Sequence, residues 1–189
     1  GYEYWYVTAD GMLAKDSIIY VRSGSSEDGE GTLGTLANPF KTIQAAVNSA
    51  IEKNENGTTK YKILLQSNVE DTPTGSYPND DNFSLININP SDDKQDLTLE
   101  IASYGEDSFT INANKSYENS GRVMYIGQKA NVTLRNVNIK GGNLTDDNGG
   151  AIYCSGTLNL VNSTISESNA KNGGGIYISS AAKTSTLNK

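Results

Sequence analysis

Histidine is absent from the chain and cysteine occurs once, as Cys154. A Ser-His-Asp or Cys-His nucleophile is therefore excluded. So are a disulfide within the chain and a thiolate zinc cluster. No apolar run reaches the roughly 18 residues that a membrane-spanning helix needs. Positive charge is in deficit, with 15 Lys and Arg against 22 Asp and Glu and a formal net charge of -7. That field repels nucleic acid and anionic membranes, so neither is expected as a partner, whereas a cationic partner fits.

What remains is organised. Hydrophobic residues make up 35% of the 189 positions and fall in short runs, with 19 glycines among the polar turns. The length suits one domain, or a domain and a fragment, with one continuous core. Gly1 is an odd start, Met12 is a poor initiator, and Ser185 to Lys189 ends as a strand begins. The chain is thus expected to be a piece of a longer precursor, truncated at the C-terminus.

Residues 2–7 alternate, with Tyr2, Tyr4 and Tyr6 on one face and Glu3, Trp5 and Val7 on the other, which is a strand pattern. Ile18 to Val21 is a second strand, and the segment from Ser23 to Leu36 reads as a loop. One helix is predicted after Asn38-Pro39. Phe40, Ile43, Val47 and Ile51 recur at helical spacing, Thr42 is the N-cap candidate, and Asn56-Gly57 is the stop. Beyond it the period is that of strands. Tyr61 to Leu65, Phe83 to Ile86, Leu97 to Ile101 and Phe109 to Ile111 are short and separated by polar turns.

The last third repeats itself. Gly149-Gly150-Ala151-Ile152-Tyr153 returns 24 residues on as Gly173-Gly174-Gly175-Ile176-Tyr177, and Gly121 to Tyr125 is a weaker copy. Val132 to Ile139 matches Leu158 to Ile165 at a spacing of 26, and Thr186-Leu187-Asn188 opens a third copy. Such periods signal stacked repeats. Each repeat holds strands too short to bury an apolar face alone. Stacked, Leu134 meets Leu160 and Ile139 meets Ile165 in core ladders. Asn136 and Asn162 fall in register, where stacked amides hydrogen-bond at a bend. The expected fold is all-β, a right-handed parallel β-helix, with Phe40, Ile43, Val47 and Ile51 on an N-terminal capping α-helix. The expected division is an N-terminal strand and linker over 1–17, a lead-in motif and capping helix over 18–60, and β-helix coils over 61–189.

Two stretches carry a family resemblance. Tyr20-Val21, Gly29-Glu30-Gly31-Thr32 and Asn38 to Val47 look like the opening motif of the pectate-lyase-like β-helix superfamily. Gly149 to Ile152, with its near copy Gly173 to Ile176, is similar to the GGAI repeat of bacterial polymorphic outer-membrane proteins. Where that family repeats FxxN, this chain reads Leu160-Val161-Asn162-Ser163. The resemblance implies a secreted or surface protein, associated with the bacterial outer membrane and serving adhesion. Its partner would be a host or matrix protein or a surface polysaccharide. It also implies an alternative, the N-terminal part of a carbohydrate-active enzyme, either polysaccharide lyase or glycoside hydrolase.

An enzyme of either kind needs converging carboxylates, or a Lys or Arg beside acids that hold Ca²⁺. Asp146-Asp147 sits before the GGAI copy in a stretch that reads as a turn, so it is the candidate Ca²⁺ site. Solvated turn acids are the plainer reading, and no other cofactor is expected. Arg135 alternates with core residues and should face solvent. No catalytic residue is assigned. Tyr2, Tyr4, Trp5 and Tyr6 are candidates for stacking on sugar rings, against burial beside the first coil. Tyr125, Tyr153 and Tyr177 recur in phase and are expected to form a ladder.

Overall fold

The computed structural model describes residues 5–7, 13–15, 17–25, 33–71, 84–113, 121–182 and 185–188. In chain order, β1 (Trp5–Val7) and β2 (Leu13–Lys15) form an antiparallel pair. Next come β3 (Ser17–Val21), α1 (Ile43–Lys53), β4 (Lys60–Leu65), β5 (Val69–Asp71) and β6 (Ser84–Ile88). Then follow β7 (Leu97–Ser103), β8 (Phe109–Ala113) and β9 (Arg122–Ile126). The next group is β10 (Ala130–Arg135), β11 (Val137–Gly141), β12 (Asn143–Asn148) and β13 (Ile152–Cys154). The last is β14 (Thr157–Val161), β15 (Thr164–Ser166), β16 (Asn169–Asn172), β17 (Ile176–Ile178) and β18 (Ser185–Asn188).

Beyond the first hairpin, the described strands pair in parallel, and one isolated antiparallel bridge joins Gly121 to Asn143. The first sheet runs β3-β4-β7-β10-β14-β18, the second β5-β8-β11-β15 and the third β6-β9-β13-β17, with β12 and β16 as a separate pair. From β4 onward the described strands fall in the first, second and third sheets in turn, with β12 and β16 between the second and third, and each return lands beside the strand of the previous pass. The expected all-β class therefore holds as mostly parallel strands in several sheets with one helix.

Period-2 alternation explains the burial. On the first sheet Ile19, Ile63, Ile101, Leu134 and Leu160 lie side by side in register. The second sheet aligns Val69, Ile111, Ile139 and Ile165. The third aligns Ile86, Met124, Ile152 and Ile176. All are buried apart from Ile165 and Ile176, which are half-buried on the last strands. Each buried aliphatic side chain contributes about 2 kcal/mol by leaving water. Cys154 belongs to the same core, fully buried.

The helix forms where the spacing of Ile43, Val47 and Ile51 places it. Phe40, expected on it, lies before its N-cap and bridges to Val21 instead, its backbone bonded to Tyr20 and Arg22. Thr42 is the N-cap, in extended backbone, and its hydroxyl accepts from the Ala45 N–H at 3.1 Å. Ile43, Ala46, Val47 and Ala50 are buried, as is Phe40 just upstream, and Ile51 packs half-buried on the core. The helix lies on β3, β4 and β6. Gln44 joins it to β6: its amide donates to the Asn87 carbonyl at 3.1 Å, and its carbonyl accepts from the Asn87 N–H at 2.6 Å. A side-chain amide thus takes the place of a neighbouring strand on the exposed edge of the third sheet.

Two further expectations need correction. The helix ends at Lys53 with Asn54 as C-cap, before Asn56-Gly57. Asn54 leaves helical backbone because its buried side chain donates to the Asp96 carbonyl at 2.9 Å. Gly57, at φ +70, shapes the following turn instead. Asp146 and Asp147 are not in a turn. They lie within β12, where Asn143 pairs with Asn169 and Asn148 with Asn172, and the register shifts between Leu144 and Asn148.

Candidate functional site

The repeats produce rows of like side chains that run across the strands, and these rows are the chemistry of the surface. Asn136 and Asn162 both adopt left-handed backbone, φ 53 and 48, at the bend between the first and second sheets. Asn tolerates that conformation better than other residues with a Cβ. The Asn162 amide donates to the Asn136 carbonyl at 3.2 Å, and the Asn136 amide donates to the Asp107 carbonyl at 3.1 Å. The expected Asn ladder is therefore present.

Other rows are similarly joined. Thr164 donates to Asn138 at 2.6 Å, Asn169 to Asn143 at 3.1 Å, Asn172 to Asn148 at 2.7 Å and Ser179 to Ser155 at 3.2 Å. On the third sheet Tyr125, Tyr153 and Tyr177 stack, with ring centroids 5.5 and 5.2 Å apart. All three are half-buried. The glycines leave the room this stacking needs. A Cβ on Gly150 would fall 2.4 Å from the Gly174 carbonyl oxygen and 2.5 Å from that of Asn169. Gly149 and Gly173 turn the chain at φ +72 and +60.

The charged residues are used in pairs. Arg135 is exposed, as its alternation predicts, and meets Glu100 at 3.1 Å, while Lys62 lies 3.7 Å from the same carboxylate. Lys140 pairs with Glu167 at 3.1 Å. Arg122, by contrast, is 2% exposed. Its guanidinium donates to Asp147 at 2.7 Å and to the carbonyls of Asn148 and Gly149, and sits 5.3 Å from the Tyr153 ring centroid. Asp147 is therefore the partner of a buried cation. Its other oxygen accepts from the Asn148 N–H at 2.7 Å. Asp146 is exposed. Among the described residues, no three of His, Cys, Asp and Glu gather to hold a metal ion.

Tyr2 and Tyr4 lie outside the described residues. Trp5 and Tyr6 belong to β1, but their side chains also fall outside what is described. The sequence does not single out a shallow groove on the first sheet at the starts of β7, β10 and β14. Asp96, Thr98, Gln128, Lys129, Asn131 and Thr157 line it. Thr98, Asn131 and Thr157 are register partners on successive strands. Lys129 points its ammonium at a turn, donating to the carbonyls of Ser91 at 3.3 Å, Asp92 at 3.1 Å and Lys94.

Among the described residues, no helix is long and apolar enough to cross a membrane. No protein-family model, curated protein or solved structure matches this chain.

Proposed function

We propose that the chain is part of a right-handed parallel β-helix, capped at its N-terminal end by α1, that works as a secreted or cell-surface binding protein. It engages a host or matrix protein, or a surface polysaccharide, along a lateral face and catalyses nothing in this stretch. The observation that carries the reading is the register. Strands from successive passes present matching side chains in straight rows along the sheets. The likeness of Gly149 to Ile152 to the GGAI repeat supports a bacterial surface location. Pairing of Arg122, Arg135 and Lys140 with acids supports a non-catalytic role, because each base is already matched.

The test is to present the purified chain to immobilised extracellular-matrix proteins and cell-surface polysaccharides, and to assay polygalacturonate and neutral glycans for cleavage in parallel. Saturable binding without new reducing ends or unsaturated products is expected. Cleavage of any glycan would overturn the reading in favour of an enzyme.

A further inference from the structure

We infer that Asn56 is a site of spontaneous covalent modification, converting to isoaspartate and aspartate in the folded chain; the inference is independent of the binding role proposed above. Three Asn-Gly pairs occur in the sequence, Asn56-Gly57, Asn148-Gly149 and Asn172-Gly173. In each the glycine sits in left-handed backbone, at φ +70, +72 and +60. None carries a Cβ that would crowd its nitrogen. Local sequence and backbone are therefore alike, and the surrounding hydrogen bonds set the three pairs apart.

The step needs only water. The Gly57 nitrogen gives up its proton and attacks the Asn56 Cγ, which forms a C–N bond and a tetrahedral oxyanion. The Cγ–Nδ2 bond then breaks and the amide leaves as ammonia, closing a cyclic imide. Water opens that ring at the main-chain carbonyl to give isoaspartate, or at Cγ to give aspartate. One amide and one water become one carboxyl group and one ammonia, with nothing oxidised or reduced. A nitrogen whose hydrogen is held by an acceptor attacks poorly, because that bond must first be given up. An oxyanion that forms facing a donor forms more readily.

Asn56 meets both conditions. It is exposed just beyond the end of α1, and its Oδ1 accepts from the Thr58 N–H at 3.1 Å, where the negative charge develops. Among the described residues, no hydrogen bond holds the Gly57 N–H. Asn148 is blocked at the attacking nitrogen, since the Gly149 N–H donates to the Asn172 carbonyl at 3.0 Å. Its side chain is also fixed, with Oδ1 accepting from the Asn172 amide at 2.7 Å. Asn172 lies between the two. No hydrogen bond holds the Gly173 N–H among the described residues, but the Asn172 amide that must leave is committed to Asn148. Conversion of Asn56 adds a negative charge beyond the C-terminal end of α1, where the helix dipole disfavours it.

The test is to incubate the chain at mildly alkaline pH and follow each pair by peptide mapping and mass spectrometry. Electron-driven fragmentation distinguishes isoaspartate from aspartate, and circular dichroism verifies that the chain stays folded. Asn56 should convert first, with isoaspartate and aspartate both formed. Asn148 should convert about tenfold or more slowly, because its held bonds must open before attack. Asn172 should fall between them. In denaturant the three rates should come together, with Asn56 changing by less than about tenfold from its folded rate. Equal rates at Asn56 and Asn148 in the folded chain overturn the inference, as does Asn172 converting first. So does a folded chain in which Asn56 stays intact while the denatured chain converts.

Discussion

Arg122 and Asp147, 25 residues apart in the chain, are joined by a 2.7 Å ion pair that ties β9 to β12. Arg122 is buried and Asp147 is 36% exposed, so the two ends of the pair are not equivalent. Removing the acid strands a buried cation, while removing the base leaves an acid that water can reach. Asp147→Ala is expected to destabilise the fold by about 2 kcal/mol, since the carbonyls of Asn148 and Gly149 still accept from Arg122. Urea denaturation checks it; an unchanged midpoint would remove the pair from the stabilising contacts.

Asn162→Ala should cost more than Asn162→Gly. Both lose the 3.2 Å ladder bond to Asn136, but only alanine keeps a Cβ at φ 48. The left-handed conformation costs an alanine about 1 kcal/mol. Comparing the two unfolding midpoints separates the backbone contribution from the amide bond.

Gly150→Ala should be a strongly damaging single-carbon addition in the repeats. Its Cβ would press on the carbonyl oxygens of both Gly174 and Asn169, and backbone cannot swing aside. A loss of about 3 kcal/mol is expected. Stacking should suffer with it, so near-ultraviolet circular dichroism from Tyr153 and Tyr177 should change in the same variant.

Asp93 titrates below the ordinary carboxylate range, first because the Ser91 hydroxyl donates to it at 2.5 Å, then through its own backbone and the charges of Lys94 and Lys129. Its folded pKa is depressed, so the contribution to stability is present above the unfolded carboxyl value and disappears as pH falls through the lowered folded one. Carboxyl-detected NMR of wild type against Ser91→Ala should show the Asp93 midpoint rising in the variant. An unmoved midpoint would assign the shift to backbone and lysines alone.

Much of this architecture is legible from spacing. Asn136 with Asn162, Ile139 with Ile165 and Tyr153 with Tyr177 announce themselves because like residues return at nearly constant intervals, and stacking makes like residues neighbours. Arg122 is hidden by the same logic. It stands two residues before Met124, where later repeats carry Gly150 before Ile152 and Gly174 before Ile176, so it reads as an imperfect copy. Its partner was signalled only by a change of period, from 26 between Asn143 and Asn169 to 24 between Asn148 and Asn172. Two extra residues in β12 account for that change and carry Asp147 to the arginine. The clasp of Gln44 on Asn87 spans 43 residues with no repeat to betray it. The groove depends on Thr98 lying beside Asn131, and the β7 segment is too unlike the later copies for sequence to align them.

Register also makes length a quantity that changes in steps. Asn131 pairs with Thr157 on one side and with Thr98 on the other. Excising 131–156 would splice Ala130 to Thr157 and let β14 settle against β7 in the vacated place, its leucines on the same inward column. The Arg122–Asp147 tie would go, and the helix end would not register the loss. Such a chain can be shortened or extended by whole layers without redesigning its core, so its length and the rows on its faces are open to variation by duplication and deletion alone.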